Sequence, residues 1–237
     1  MDADFDLSRL DDIPDVIPAD ADRAPQAPTS APRTKAIEGG PSRAELRSRR
    51  WIAIAASFAW LAGHLALLSI RTDFAKLGVA YPALQIGLPA LLSAIALGVA
   101  ITPGREGLGA GVTALRAIVI GGVAGMTALV AAMPLPFAYV PPNVMTFGQW
   151  VVVCGDIVAM MAAVPLVLAA VVLRRSFVAA SLERSAAVGA ACGLAAVTAM
   201  HLHCENIQIA HVLAGHMIPA IAVTIVAALA LRSITRA

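Results

Sequence analysis

Residues 151–173 read VVVCGDIVAMMAAVPLVLAAVVL, an apolar run that carries a single charged residue, Asp156. Because an α-helix rises about 1.5 Å per residue, roughly 20 such residues cross the ~30 Å hydrocarbon core of a bilayer. The run is therefore long and apolar enough to span a membrane. Five further apolar stretches predict the same structure, and the fifth of the six is the weakest because it is short and rich in Ala and Gly. The six predicted spans lie near residues 51–70, 79–101, 114–133, 150–173, 185–201 and 207–231.

The overall composition agrees with a membrane protein. Of the 237 residues, 59% are hydrophobic and 14% are charged, and the mean hydropathy is +0.80. A soluble domain carries about a quarter charged residues. The short connectors between the apolar stretches favour antiparallel neighbours in a bundle. We therefore expect an all-α polytopic membrane protein, in which residues 51–237 form a six-transmembrane-helix bundle.

The first fifty residues differ from the rest of the chain. Residues 1–22 are acidic, residues 23–50 are basic and Pro-rich, and these fifty residues hold six of the fifteen prolines. This composition predicts a largely disordered cytoplasmic tail, with a helical turn or two at 41–50 leading into the membrane. An apolar stripe at roughly helical spacing is a candidate for folding on a partner, and an unstructured, solvated tail is the equal alternative. The stripe consists of Phe5, Leu7, Leu10 and Ile13.

The basic residues predict the orientation, because cytoplasmic loops carry an excess of Lys and Arg. With the tail in the cytoplasm, only Arg71 and Lys76 lie outside. The thirteen basic residues on the inner side are Arg33, Lys35, Arg43, Arg47, Arg49, Arg50, Arg105, Arg116, Arg174, Arg175, Arg184, Arg232 and Arg236. We therefore expect both termini to lie in the cytoplasm.

Two GxxxG pairs occur within predicted spans. One is Gly121 and Gly125 in the third helix, and the other is Gly189 and Gly193 in the fifth. Such pairs let helix backbones approach closely. Packing within one chain is the favoured interpretation, and self-association into a homo-oligomer is the alternative.

The predicted orientation gathers most thiols and imidazoles at the outer side of the membrane. They come from the start of the fourth helix, the turn between the fifth and sixth, and the sixth helix. The candidate residues are Cys154, Asp156, His201, His203, Cys204, His211 and His216. Imidazole and thiolate are preferred ligands of zinc, copper and related ions, whereas two thiols in an oxidising compartment can instead form a disulfide. Asp156 is a candidate carboxylate partner for a histidine, and an ordinary polar turn at the membrane surface is the competing interpretation.

Other polar groups point to no chemistry. We expect His64 to be hydrogen-bonded between helices and Cys192 to serve packing. The sequence lacks a Ser/His/Asp spacing, HExxH, a glycine-rich phosphate loop and paired carboxylates within one helix, so we expect no enzyme. No histidine lies in the inner half of the bundle, which disfavours transmembrane electron transfer by a pair of haems.

The C-terminal half resembles the NrsF-like family of multi-pass, membrane-integral anti-sigma factors of bacteria. Three features carry the resemblance. Helix four has a Cys at its outer end and Pro and LRR towards its inner end. The next helix is rich in small residues and ends in an aliphatic-x-His-Cys turn, and the last helix contains a His. These read VVVCGDIVAMMAAVPLVLAAVVLRRS (151–176), AAVGAACGLAAVTAMHLHCEN (186–206) and IAHVLAGHMIPAIAV (209–223). The match covers roughly residues 50–237. Two departures are the absence of the family's proline and aromatic residues after the second Cys and a longer, more acidic tail.

The resemblance implies a function. Members hold an extracytoplasmic-function sigma factor at the inner membrane until a periplasmic stress is sensed, and paired outer cysteines are implicated through metal or redox chemistry. By position these are Cys154 and Cys204, with His203 before the second Cys, and His211 or His216 as added ligands. The implied partners are the sigma factor and the lipid bilayer, with no direct nucleic-acid contact; no fixed cofactor is expected beyond a soft or transition metal ion such as Zn, Cu or Cd. The alternative is a metal-handling or small-solute transport protein with an outer-leaflet Cys/His site.

Overall fold

A computed structural model describes residues 43–101, 111–132, 145–174 and 181–236. Within these ranges all regular structure is helical, and six helices are long and apolar enough to cross a membrane. The all-α, six-span prediction is thereby confirmed, whereas the predicted partner stripe of Phe5, Leu7, Leu10 and Ile13 lies outside the described residues. The helices are α1 (Arg43–Leu68), α2 (Pro82–Ile101), α3 (Val112–Ala132), α4 (Phe147–Leu173), α5 (Ser181–His203) and α6 (209–236).

Helix boundaries depart from the predicted spans by a few residues, most of all at α1. That helix begins at Arg43, eight residues before the predicted span, because the helical turns expected within 41–50 are continuous with it. A four-residue helix, Phe74–Leu77, lies between α1 and α2. Helix α6 continues to Arg236, five residues beyond the predicted end.

The weakest predicted span is the central helix. In α5, 78% of the residues in the spanning segment are buried, against 6% in α1. Helix α5 packs against α6, α2 and α4, whereas α1 lies at the edge of the bundle against α4 and α5. A helix enclosed by other helices faces little lipid, so it needs small residues for close packing more than it needs long apolar ones.

The glycine pair of the fifth helix serves this packing. A Cβ added at Gly189 would lie 2.5 Å from Cβ of Ala227, and one added at Gly193 would lie 3.2 Å from Cβ of Ala220. Both contacts join α5 to α6, as the favoured interpretation predicts. At Gly121 and Gly125 an added Cβ would meet no described atom within 4 Å, so this pair does not pack against another described helix.

Candidate metal centre

The helix ends place the thiols and imidazoles at one end of the bundle, which we call the cysteine end. Helices α1 and α5 finish there, and α4 and α6 begin there. A capping box fixes the start of α4, since Thr146 accepts a hydrogen bond from the backbone of Gln149 while the Gln149 side chain accepts one from the backbone of Thr146. Cys154 follows about two turns into α4, and its side chain is buried against the core.

Four buried side chains converge at this end. Cys154 comes from α4, Cys204 directly follows α5, and His211 and His216 come from α6. One ligand atom from each of the four lies within 4.8 Å of every other. The two sulfurs are 3.9 Å apart, and Sγ of Cys204 is 3.4 Å from Nε2 of His211. We call these four residues the Cys2His2 cluster.

A π-helical turn brings the two histidines together. In an α-helix, residues five apart point in directions that differ by about 140°. Between Leu213 and Met217, however, α6 is a π-helix, whose hydrogen bonds run from residue i to i+5. The wider turn carries His216 back towards His211, and their ring centroids lie 5.1 Å apart. The π-helical turn in α6 therefore brings together the two histidines of the Cys2His2 cluster.

Gly215 allows α4 to reach the cluster. A Cβ at this position would lie 3.3 Å from Cε1 of His211, 3.4 Å from Cβ of Cys154 and 3.5 Å from Cα of Val151. Only a residue without a side chain fits there without a shift of its neighbours. Sequence reasoning missed Gly215, although its position between the two histidines in HVLAGH was a signal.

Three of the four ring nitrogens of the cluster histidines lack a hydrogen-bond partner among the described residues. His211 is fully buried and His216 is 1% exposed. Among the described residues, Nδ1 and Nε2 of His216 have no hydrogen-bond partner, and Nδ1 of His211 has none either. Buried polar groups are usually satisfied, so unpartnered imidazole nitrogens of this kind call for an explanation such as a metal ion that binds there. A metal ion would provide the missing partner.

The donor set and its spacing fit a tetrahedral ion. Two thiolates and two imidazoles form the Cys2His2 set common in structural zinc sites. With metal–sulfur bonds of about 2.3 Å and metal–nitrogen bonds of about 2.0–2.1 Å, a tetrahedron places two sulfurs about 3.8 Å apart and a sulfur and a nitrogen about 3.5 Å apart. The distances of 3.9 and 3.4 Å lie close to these values. Cys154, Cys204, His211 and His216 are thus the residues that would hold a metal.

Two aromatic residues and a third histidine surround the cluster. The Trp150 ring lies edge-on to His211, with centroids 6.1 Å apart. His201 is buried, and its ring lies 5.0 Å from that of His216. The Tyr81 hydroxyl is 3.4 Å from Nδ1 of His201. The His201 ring therefore packs against His216 of the cluster, and on its other side it contacts Tyr81, the residue directly before α2.

Two candidate residues lie outside the cluster. His203 is partly exposed, and its Nδ1 donates to the carbonyl oxygen of Ser69 at 3.0 Å. Asp156 is exposed, and the cluster does not include it. The seven residues predicted at the outer side therefore fall into three sets: the Cys2His2 cluster, His201 beside it, and His203 and Asp156 outside it.

His64 and Cys192 also lie elsewhere. The Nδ1 of His64 donates to the carbonyl oxygen of Trp60, one turn earlier in α1, so this bond is within a helix and not between helices as expected. Cys192 is buried in the apolar core, as predicted for a packing residue.

The connection after α1 is tied to the Cys204 turn. Nη1 of Arg71 donates to the carbonyl oxygen of Cys204 at 2.7 Å, and its Nε and Nη2 donate to the carboxylate of Asp73 at 2.6 and 2.7 Å. The hydrogen bond and charge of Arg71 lower the pKa of the Asp73 carboxyl, which keeps it ionised.

Comparison with known proteins supplies the family. A family model described as "NrsF: Negative regulator of sigma F" matches residues 37–236. No curated protein and no solved structure matches the chain. The family match includes all six helices and the whole Cys2His2 cluster. The chain therefore belongs to the NrsF family, the negative regulators of sigma F.

Proposed function

We propose that the chain is a membrane-bound anti-sigma factor that holds an extracytoplasmic-function sigma factor at the bacterial inner membrane and releases it on a periplasmic metal or redox signal. Family membership implies negative regulation of a sigma factor. The observation that supports the sensing step is the buried Cys2His2 cluster with its unpartnered imidazoles. Ionisable groups at membrane depth are costly and usually serve function.

The charges of the described residues support an outward-facing cluster. At the cysteine end, Arg71 and Lys76 are the basic residues other than histidine in the described part of the chain. The opposite end is more basic, and its described residues include Arg47, Arg49, Arg50, Arg116, Arg174, Arg184 and Arg232. The positive-inside rule then assigns the cysteine end to the periplasm and both termini to the cytoplasm.

Ligation at the cluster would act on helix arrangement. A metal ion held by the four residues ties α4, the turn after α5 and the start of α6 together. Oxidation has a related effect: the two thiols lose two protons and give two electrons to a periplasmic oxidant as the Cys154–Cys204 disulfide forms. Either event changes sigma-factor affinity only if the ligated arrangement binds the partner less well than the free arrangement does. The apolar stripe Phe5, Leu7, Leu10 and Ile13 is the proposed partner-binding segment of the tail.

Two experiments test this function. The intact protein should co-purify a sigma factor from membranes of its own organism, whereas a metal-handling or small-solute transporter should not. In cells, the double variant Cys154→Ser/Cys204→Ser should keep the sigma factor bound under zinc, cadmium or oxidant stress, as measured by a promoter that depends on it. Cys192→Ser is the matched control, because this buried cysteine lies outside the cluster. Normal induction in the double variant would contradict the sensing assignment.

A further inference from the structure

Arg71 joins the end of α1 to the turn that carries Cys204. Its side chain is fully buried. Besides the bonds to Asp73 and to the carbonyl oxygen of Cys204, Nη2 donates to the carbonyl oxygen of Glu205 at 3.3 Å. The backbone N–H of Arg71 donates to the carbonyl oxygen of Leu202 at 2.9 Å. Arg71 thus donates hydrogen bonds to the carbonyl oxygens of Leu202, Cys204 and Glu205.

These bonds give hydrogen-bond donors to backbone carbonyls at the C-terminal end of α5 and just beyond it. The last four carbonyls of an α-helix have no partner within the helix, and they attract a positive charge because of the helix dipole. Leu202 lies in the last turn of α5, and its carbonyl accepts from the backbone N–H of Arg71. The guanidinium donates to the carbonyl of Cys204, the residue directly after the helix, and places its positive charge at that end. A planar group with five N–H donors can hold the Asp73 carboxylate and two carbonyls together, which a lysine ammonium cannot match in geometry.

The backbone after α1 is shaped to bring Arg71 into this position. Ser69 has a φ of 67°, a left-handed conformation that is uncommon for a residue with a Cβ. It ends α1 and turns the chain towards α5, and its carbonyl accepts the bond from His203. Leu77, Tyr81 and Ile207 form a small buried apolar cluster beside the same connection. The segment 69–73, which we call the strap, is therefore held against the Cys204 turn by hydrogen bonds, and the residues that follow it, Leu77 and Tyr81, pack against Ile207.

A second route leads from the strap to a histidine of the cluster. Nη1 of Arg71 also approaches the hydroxyl of Tyr81 at 3.4 Å, and the hydroxyl is 3.4 Å from Nδ1 of His201. The His201 ring packs against His216. Arg71 therefore touches the cluster on the thiol side through the Cys204 carbonyl and on the imidazole side through Tyr81 and His201.

We propose that Arg71 is the positioning residue that couples the Cys2His2 cluster to α1, so that a change at the cluster moves the end of α1 through the strap. Helix α1 makes few contacts with the bundle apart from α4 and α5, and the 42 N-terminal residues precede it directly. The coupling itself rests on the geometry of the strap. Its use in releasing a sigma factor rests on the proposed function.

Hydrogen–deuterium exchange of the full chain in lipid nanodiscs tests the coupling without a sigma factor. In the wild-type protein, Zn2+ should slow exchange both in the Cys204 turn and in residues 64–73. In Arg71→Gln, Zn2+ should still bind at the wild-type stoichiometry and slow the Cys204 turn, but the response of residues 64–73 should be lost. Lys76→Gln, an exposed residue just beyond the strap, is the control and should respond as wild type.

Three outcomes would overturn the proposal: a full response of residues 64–73 in Arg71→Gln, a wild-type response confined to the Cys204 turn, or loss of the response in Lys76→Gln. If Arg71→Gln does not fold, Arg71→Lys takes its place, and a full response in that variant has the same meaning. If Zn2+ does not bind to the wild-type protein, the metal-sensing function fails, but the coupling is still measured by alkylating the cluster thiols with N-ethylmaleimide. The same dependence on Arg71 is then expected, and its absence would overturn the coupling.

Discussion

Replacing His216 with leucine should raise stability without metal and remove the stabilisation that metal provides. Both ring nitrogens of His216 are buried without a hydrogen-bond partner among the described residues. A neutral imidazole has one donor and one acceptor, and each buried group left unsatisfied costs about 1–3 kcal/mol. Leucine has no such groups and fills a similar space.

The size of the stability gain without metal and the size of the loss of metal affinity can both be worked out. Imperfect packing of the leucine offsets part of the gain, because near-isosteric core changes cost up to about 1.5 kcal/mol. The two unsatisfied groups together cost about 2–6 kcal/mol, so after the packing loss we expect the metal-free His216→Leu chain to unfold with a free energy about 0.5–6 kcal/mol above wild type. Zinc binding at four-ligand sites provides about 10–16 kcal/mol, so the loss of one ligand removes about 3 kcal/mol, which weakens affinity about 100-fold.

Unfolding in mixed micelles, with and without Zn2+, measures both effects. Wild type should gain about 2.7 kcal/mol when free Zn2+ is 100 times its dissociation constant, whereas His216→Leu, with its affinity weakened about 100-fold, should gain only about 0.4 kcal/mol at the same concentration. His64→Leu is the control, since His64 also lies in a membrane helix but outside the cluster, and it should keep the full metal response. A metal-free His216→Leu chain that is less stable than wild type, or one that binds Zn2+ as tightly, would refute the reasoning.

Three further predictions concern packing, the third cysteine and the strap. Gly189→Ala should lower the free energy of unfolding by about 1–3 kcal/mol, because its Cβ would lie 2.5 Å from the Cβ of an alanine in α6. Gly121→Ala, whose Cβ would have no described atom within 4 Å, should raise the free energy of unfolding by up to about 1 kcal/mol through helix propensity. Equal effects of the two substitutions in the same unfolding assay would contradict the packing of Gly189 against α6. Cys192→Ala should leave Zn2+ stoichiometry unchanged in metal analysis of the purified protein, and a lost equivalent would place this thiol in the site. Because Arg71 lowers the Asp73 pKa below the usual 3.8, the stability difference between wild type and Asp73→Asn should be constant from pH 5 to 7 and shrink as pH falls below 3.8 through the lower folded-state pKa. A difference that does not shrink on acidification would contradict the ion pair.

Sequence patterns gave the number and nature of the helices because bilayer thickness imposes a minimum apolar length. They also indicated which end of the bundle holds the thiols, since Cys154 and Cys204 lie near helix ends in the sequence. The weak fifth span illustrates the limit of hydropathy: α5 is poor in long apolar residues because it is enclosed by other helices, with Gly189 and Gly193 set against α6.

The membership of the cluster could not be predicted in full. His211 and His216 are five residues apart, a spacing that separates two side chains on an α-helix, and only the π turn brings them together. His203 adjoins Cys204 in sequence, but its side chain turns to the carbonyl of Ser69. Arg71 gave no signal beyond its charge, because its contacts with residues 202–205 depend on how the strap lies across the end of α5.

Control of the sigma factor by the Cys2His2 cluster is tested by a Zn2+ titration of the full chain in nanodiscs with the sigma factor bound, in which metal occupancy and sigma-factor release are followed together. We expect one ion per chain, half-release at the Zn2+ concentration that gives half-occupancy, and a shift of both curves by the same factor in His216→Leu. Release that does not move with occupancy in this variant would contradict the claim that the Cys2His2 cluster controls the partner.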